Sequence, residues 1–248
     1  LQMPEDFMRQ VAVDEFDSEL SEFFGVGMVF LSRDEDKASH SRSILNRALE
    51  DNGLEIVGWR EVPVDESCLG PIAKDELPKI EQVFVNSPGL RGDVLEARLL
   101  VARKTTMYSL LDDNDFYICS LSHSVVSYKG LMMPVDLPVF YKDLGNPKLE
   151  TAICTFHQRF STNTLPRWQL AQPFRFLAHN GEINTIDGNR NWARARQNVL
   201  ASNLIPELQE LEGVVNTTGS DSSSMDNMIE LLVLGGMDIF RAVRLVMP

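Results

Sequence analysis

Cysteine, histidine and basic charge are all scarce in this chain. Its three cysteines, Cys68, Cys119 and Cys154, form no spaced cluster. An odd, scattered set argues against a disulfide framework and for a reducing compartment. No CxxC occurs and the four histidines lie apart, which argues against a structural zinc or iron–sulfur site. No apolar run is long enough to span a membrane. The opening "LQMPEDFMRQ" has acids where a signal peptide has its basic region. "GVG" at 25–27 lacks the GxGxxG spacing of a dinucleotide loop, and no GKS or GKT phosphate loop is present. Repeats and low-complexity linkers are also missing. The 23 Lys and Arg stand against 36 Asp and Glu, a formal charge of -13. That balance disfavours nucleic acid and anionic membranes as partners. It favours a soluble, cytoplasmic protein.

What is present suffices for a globular core. Hydrophobic residues are 44% of 248, enough for one large domain or two small ones. Residues 23–32, 54–64 and 80–86 read as strands, with Pro63 limiting the second. Residues 38–50 read as a helix closed by Gly53 in a left-handed cap. Asp93 can start a long helix to about Leu110. Residues 115–122 and 124–130 read as successive strands, then an irregular connection follows. "LETAICTFHQRF", residues 149–160, alternates as a strand. It places His157 and Arg159 on one face and a buried Cys154 on the other. "FRFLAHN", residues 174–180, reads as a further short strand. A helix from about Gly188 to Leu200 offers Trp192, Ala195, Val199 and Leu200 for packing. Ser222–Ser224 can cap another helix, with Ser223 and Asp226 in a partial capping box. Gly235 and Gly236 break it, and a last helix begins near Met237. Strands mixed with helices predict a layered α/β arrangement.

The chemistry concentrates at the ends of the two late strands. Arg159 is either a surface arginine or a guanidinium fork for a carboxylate, with Ser161 and Thr162 as hydroxyl donors beside it. Asn180-Gly181 is either a turn or an oxyanion site, glycine allowing close backbone approach. Asp221 is either a favourable helix-start acid or the receiver of an ammonium group. His157 fits a packed neutral histidine better than a catalytic one. A carboxylate clamp, an ammonium receiver and an amide-oxygen site together describe glutamine.

These stretches, "ICTFHQRFSTNTLPRWQLAQPFRFLAHNGEINTIDGNRNWARARQ" and "TGSDSSSMDNMIELL", closely resemble the amidotransferase domain of the glutamate synthase large subunit, bacterial type above all. The resemblance covers essentially the whole chain. It implies an α+β, four-layer α/β/β/α N-terminal-nucleophile fold that hydrolyses glutamine to glutamate and ammonia. Residues 1–248 would be part of one such domain of a larger protein. By the resemblance, Arg159 holds the α-carboxylate and Asp221 the α-amino group. Asn180 and Gly181 form the oxyanion hole, and Ser161 and Thr162 lie in the substrate loop. The whole enzyme would aminate 2-oxoglutarate with FMN and a 3Fe–4S cluster. A small subunit or ferredoxin would supply electrons.

One element of that pattern is missing. The family's mature chain begins with a nucleophilic cysteine whose own α-amino group assists, and this sequence begins with Leu1. Both ends read as cuts through a larger protein, and the fold is expected to be incomplete at its start. The chain is expected to be inactive alone and prone to self-association through uncovered edges. The alternatives are another class II amidotransferase, or a glutamine-binding or interaction module without a nucleophile.

Overall fold

The computed structural model of the chain describes residues 1–158, 165–178, 183–217 and 219–246. The chain opens with α1 (Glu5–Phe16), an element the sequence reading does not assign. It follows Pro4 and buries Phe7, Met8, Val11 and Ala12 along one stripe. Next come β1 (Phe24–Leu31) and α2 (Glu35–Asp51). Asp34 caps α2 by accepting from the N–H groups of Asp36 and Lys37 at 3.0 and 3.1 Å. Gly53, at φ 78°, turns the chain out of that helix as expected. β2 (Glu55–Glu61), the short α3 (Pro71–Asp75) and β3 (Lys79–Asn86) lead to α4 (Gly92–Ser109). Asp93 sits inside the first turn of α4 and does not cap it. β4 (Tyr117–Ser122) is followed by α5 (Leu137–Phe140), α6 (Ile186–Arg196), α7 (Asp221–Leu234) and α8 (Ile239–Val246).

The four strands form one antiparallel sheet in the order β2-β3-β1-β4. β1 pairs with β3 from Phe24↔Asn86 to Leu31↔Lys79, and all eight of its residues are buried. A central strand buried on both faces explains why "FGVGMVFL" shows no polar alternation. Its even-numbered residues, Phe24, Val26, Met28 and Phe30, pack with α1, Phe84 and Trp168. Its odd face, Val29 and Leu31, packs with α2 and α4 through Leu45, Leu49, Leu95 and Leu99. Gly27 belongs to that odd face because a Cβ there would lie 2.6 Å from Val83 Cγ1. The architecture is therefore α+β, with helices flanking a central antiparallel sheet.

α4 is buried on two sides. Away from the sheet, its Ala97, Leu100 and Val101 join Ile205, Leu208, Leu211 and Val214 and the Leu231 and Leu234 of α7 in a third cluster. This contact carries α7 and its first turn against the main body.

Three expected strands do not form among the described residues. Residues 124–130 make only a bridge, Val125 opposite Gln2, although Val126 and Tyr128 are buried. Residues 149–158 form no strand; Gln2 N–H donates to Ile153 O and Thr151 Oγ1 donates to Gln2 O, both at 2.9 Å. Residues 174–178 turn, with Phe174 N–H donating to Leu177 O at 2.8 Å. Alternating polarity marks a chain that can join a sheet, but a strand exists only where a partner edge is offered. Without one, Ile153 and Phe156 are exposed, and so is Cys154, contrary to its expected burial. α6 forms close to its expected span, yet Trp192, Ala195 and Val199 are exposed and only Leu200 packs on the third cluster.

Candidate functional site

The start of α7 organises the region that the sequence marks as chemical. Ser220, not the Ser222–Ser224 run, is the N-cap, and its hydroxyl accepts from Ser223 N–H at 3.2 Å. Asp221 opens the helix half-buried. Its Oδ1 accepts from Ser222 N–H at 2.6 Å and its Oδ2 from Ile183 N–H at 2.9 Å. One turn on, Asp226 is buried, and its Oδ1 accepts from Phe176 N–H at 2.7 Å.

These two bonds have a joint consequence. Phe176 and Ile183 flank residues 179–182, which carry Asn180 and Gly181. Both flanks are tied to α7, one by Asp226 and one by Asp221. The expected ammonium receiver is therefore bonded to Ile183, which follows Gly181 by two residues in the sequence. Asn180, Gly181, Arg159, Ser161 and Thr162 themselves lie outside the described residues. His157 is described: it is half-buried and lines a cavity of about 160 Å³ with Phe156, Gln158, Lys129 and Gln172.

A buried charge network braces the arrangement from behind. Arg175 is 3% exposed at its side chain and pairs with Glu96 at 2.5 Å and Glu230 at 2.8 Å. Glu230 of α7 also pairs with Arg103 of α4. Glu96 Oε2 accepts from Ser122 Oγ and His123 N–H, both at 3.1 Å, which ties α4 to the end of β4. Burial, and then the neighbouring Glu230 charge, push the Asp226 carboxyl up to about 6. Glu230 is held low by Arg103 and Arg175 against the opposing effect of its burial. From α6, Arg190 donates to Gly219 O at 2.6 Å and to Ser224 Oγ at 3.0 Å, which cinches the loop ahead of α7.

The sequence reading missed Arg175, Glu96, Glu230 and Arg103. A signal was available for Glu230: an acid inside "MIELLVL" must find a cation once that run is buried. Asp226, read as a capping or structural acid, is structural.

The cysteines divide by environment. Cys119 is buried, and burial pushes its thiol up to about 12. Cys68 is partly buried in a short turn, and its thiol is raised by burial and by Asp136. Cys154 is exposed, three residues before His157. No group of three His, Cys, Asp or Glu able to hold a metal stands together among the described residues, and the scattered cysteines do not fit a 3Fe–4S cluster. No described helix is long and apolar enough to cross a membrane.

Comparison with known proteins bears on the same chemistry. The family pattern "Glutamine amidotransferases class-II" matches residues 1–248. The chain is 42% identical over 227 residues to ferredoxin-dependent glutamate synthase 2 of Synechocystis, covering 90% of this chain and 14% of that protein. It is 39% identical over 248 residues to the ferredoxin-dependent glutamate synthase of Pyropia yezoensis, covering 98% and 16%. It is 37% identical over 252 aligned positions to the NADPH glutamate synthase large chain of Bacillus subtilis, covering 100% and 16%. The chain thus spans about one-sixth or less of the length of these relatives.

Proposed function

Because the chain belongs to the class-II glutamine amidotransferases, we propose that it is the glutamine-recognition part of a glutamate-synthase-type glutaminase domain, one that binds glutamine without hydrolysing it unaided. Asp221 receives the α-ammonium group, Arg159 the α-carboxylate, and Ser161 and Thr162 add hydroxyl contacts. Asn180 and the Gly181 N–H donate to the side-chain amide oxygen, where charge would develop in acyl transfer. The carrying observation is the Asp221 carboxylate, anchored at the head of α7 and bonded to the N–H of Ile183, two residues after Gly181 in the sequence.

Two of the three thiols in this chain are poorly suited to attack glutamine. Attack on an amide carbon needs a thiolate. Cys119 is buried and held protonated, and Cys68 is raised by its burial. Both environments disfavour the thiolate that attack needs. Within a larger protein the same residues would serve glutamine hydrolysis, the ammonia passing to 2-oxoglutarate. The similarity to glutamate synthases at 37–42% identity supports that setting. The four-layer N-terminal-nucleophile fold, a single domain over 1–248, the bacterial type and a cytoplasmic location belong to this proposal. So do FMN, the 3Fe–4S cluster, the other synthase domains and an electron-donating subunit or ferredoxin.

The test combines calorimetry with an ammonia assay on this chain. Saturable binding of L-glutamine with no ammonia above the buffer rate is expected. Absence of binding overturns the recognition role. Ammonia release overturns the inactivity, and its loss in Cys154→Ser would then identify the exposed thiol as the nucleophile.

A further inference from the structure

A second cavity, beyond the glutamine reading, lies between α4, α6 and α7. Its volume is about 400 Å³, within the roughly 300–1,000 Å³ typical of small-molecule sites. Asp221 and Ile183 are not among its walls. The walls are largely apolar, including Met107, Leu110, Phe116, Leu200, Met228 and Leu231.

Three polar side chains in that lining have donors left over. Lys104 is 4% exposed. Its ammonium donates to Asn227 Oδ1 at 2.9 Å and makes no ion pair among the described residues. A buried ammonium has three donors to satisfy, so two remain. The Asn227 oxygen is already used, accepting from Lys104 and from Asn216 N–H at 3.1 Å. Its amide NH₂ is left to donate. At the rim, the exposed Arg194 guanidinium pairs with no described residue. Two acids also line the cavity. Asp113 is occupied by Ser41 Oγ and Asp115 N–H, and Glu212 accepts from Tyr108.

Donors without acceptors, set in an apolar chamber, call for an acceptor-rich ligand with an apolar body. We propose that this cavity binds a small carboxylate, its carboxylate on Lys104 and Asn227 and its apolar part against Phe116, Met228 and Leu231. A buried cation lacking a carboxylate partner is costly, and the bound anion supplies the missing charge. Burial, and then the neighbouring Arg103 charge, lower the Lys104 pKa to about 7 against the opposing pull of Glu230 and Asp226.

Phenylacetate is the probe and phenylacetamide its uncharged counterpart. Calorimetry on the whole chain is expected to show saturable phenylacetate binding, with phenylacetamide at least tenfold weaker. Lys104→Met keeps the stem and removes the buried cation, so it is expected to fold and to bind phenylacetate at least tenfold more weakly. Arg194→Gln, at an exposed position, is expected to weaken binding two- to fivefold. In the wild-type chain, bound phenylacetate slows acetylation of Lys104 by acetic anhydride, read by peptide mass mapping, and leaves the other lysines unchanged. No saturable binding, equal binding of the amide, or undiminished acetylation of Lys104 overturns the proposal. This readout stands even if Lys104→Met fails to fold.

Discussion

Asp226 shows how one residue can serve position at a cost in stability. Its carboxylate fixes Phe176, yet it is buried beside Glu230, and its pKa rises from 3.8 to about 6. The folded state therefore keeps a proton that the unfolded chain releases between those values. Stability contributed by this group falls as pH rises from 3.8 to about 6 and is constant above. Asp226→Asn keeps an acceptor for Phe176 N–H and removes the titration. The stability difference, variant minus wild type, is expected to grow by on the order of 2–3 kcal/mol across that window. Denaturant melts at pH 4 and pH 7 measure it, and a pH-independent difference contradicts it. The acid at the start of α7, Asp221, was legible as a local pattern, though the cap is Ser220 and Asp221 is the first helical residue. Arg175 was not, because its partners Glu96 and Glu230 lie far from it in the chain.

At the scale of elements, α4 and α7 form the frame behind the site. Their apolar faces meet in one cluster, and the Arg103–Glu230–Arg175–Glu96 chain crosses between them. Removing one member leaves buried charge without a partner, which costs about 3–5 kcal/mol. Glu230→Ala is expected to lose stability of that size in chemical denaturation, and with it glutamine binding. A loss under 1 kcal/mol would show that the network does not brace the site. β1 makes a steric prediction: Gly27→Ala places a Cβ against Val83. It is expected to cost about 1–3 kcal/mol by overpacking, and an unchanged melting curve contradicts it. β1, β2, β3, α2 and α4 were legible because the burial pattern is local, although Asp93 proves not to be the cap of α4. Residues 124–130 and 149–158 carry equally good strand patterns and form none, because pairing depends on a neighbouring edge that local sequence does not specify. The exposed side chains of Trp192 and Val199 make the same point for helices: spacing defines a face, and the rest of the fold decides whether it is covered.

For the whole molecule, the net charge of -13 sits beside a site that needs cations and anions placed singly. Long-range attraction therefore does little for a zwitterion such as glutamine, and local geometry must supply the recognition. The proposed recognition rests on the family match over residues 1–248 and on the Asp221 carboxylate anchored at the head of α7. The most direct measurement compares calorimetric affinities of wild type and Asp221→Asn for L-glutamine and for glutaramate, the analogue without the α-amino group. A charge-assisted hydrogen bond is worth about 1.5–3 kcal/mol, or roughly 10–100-fold in affinity. Asp221→Asn is expected to lose that factor for glutamine and almost nothing for glutaramate, so that the two ligands become equal. Undiminished glutamine affinity in Asp221→Asn, with the variant folded, would contradict the account.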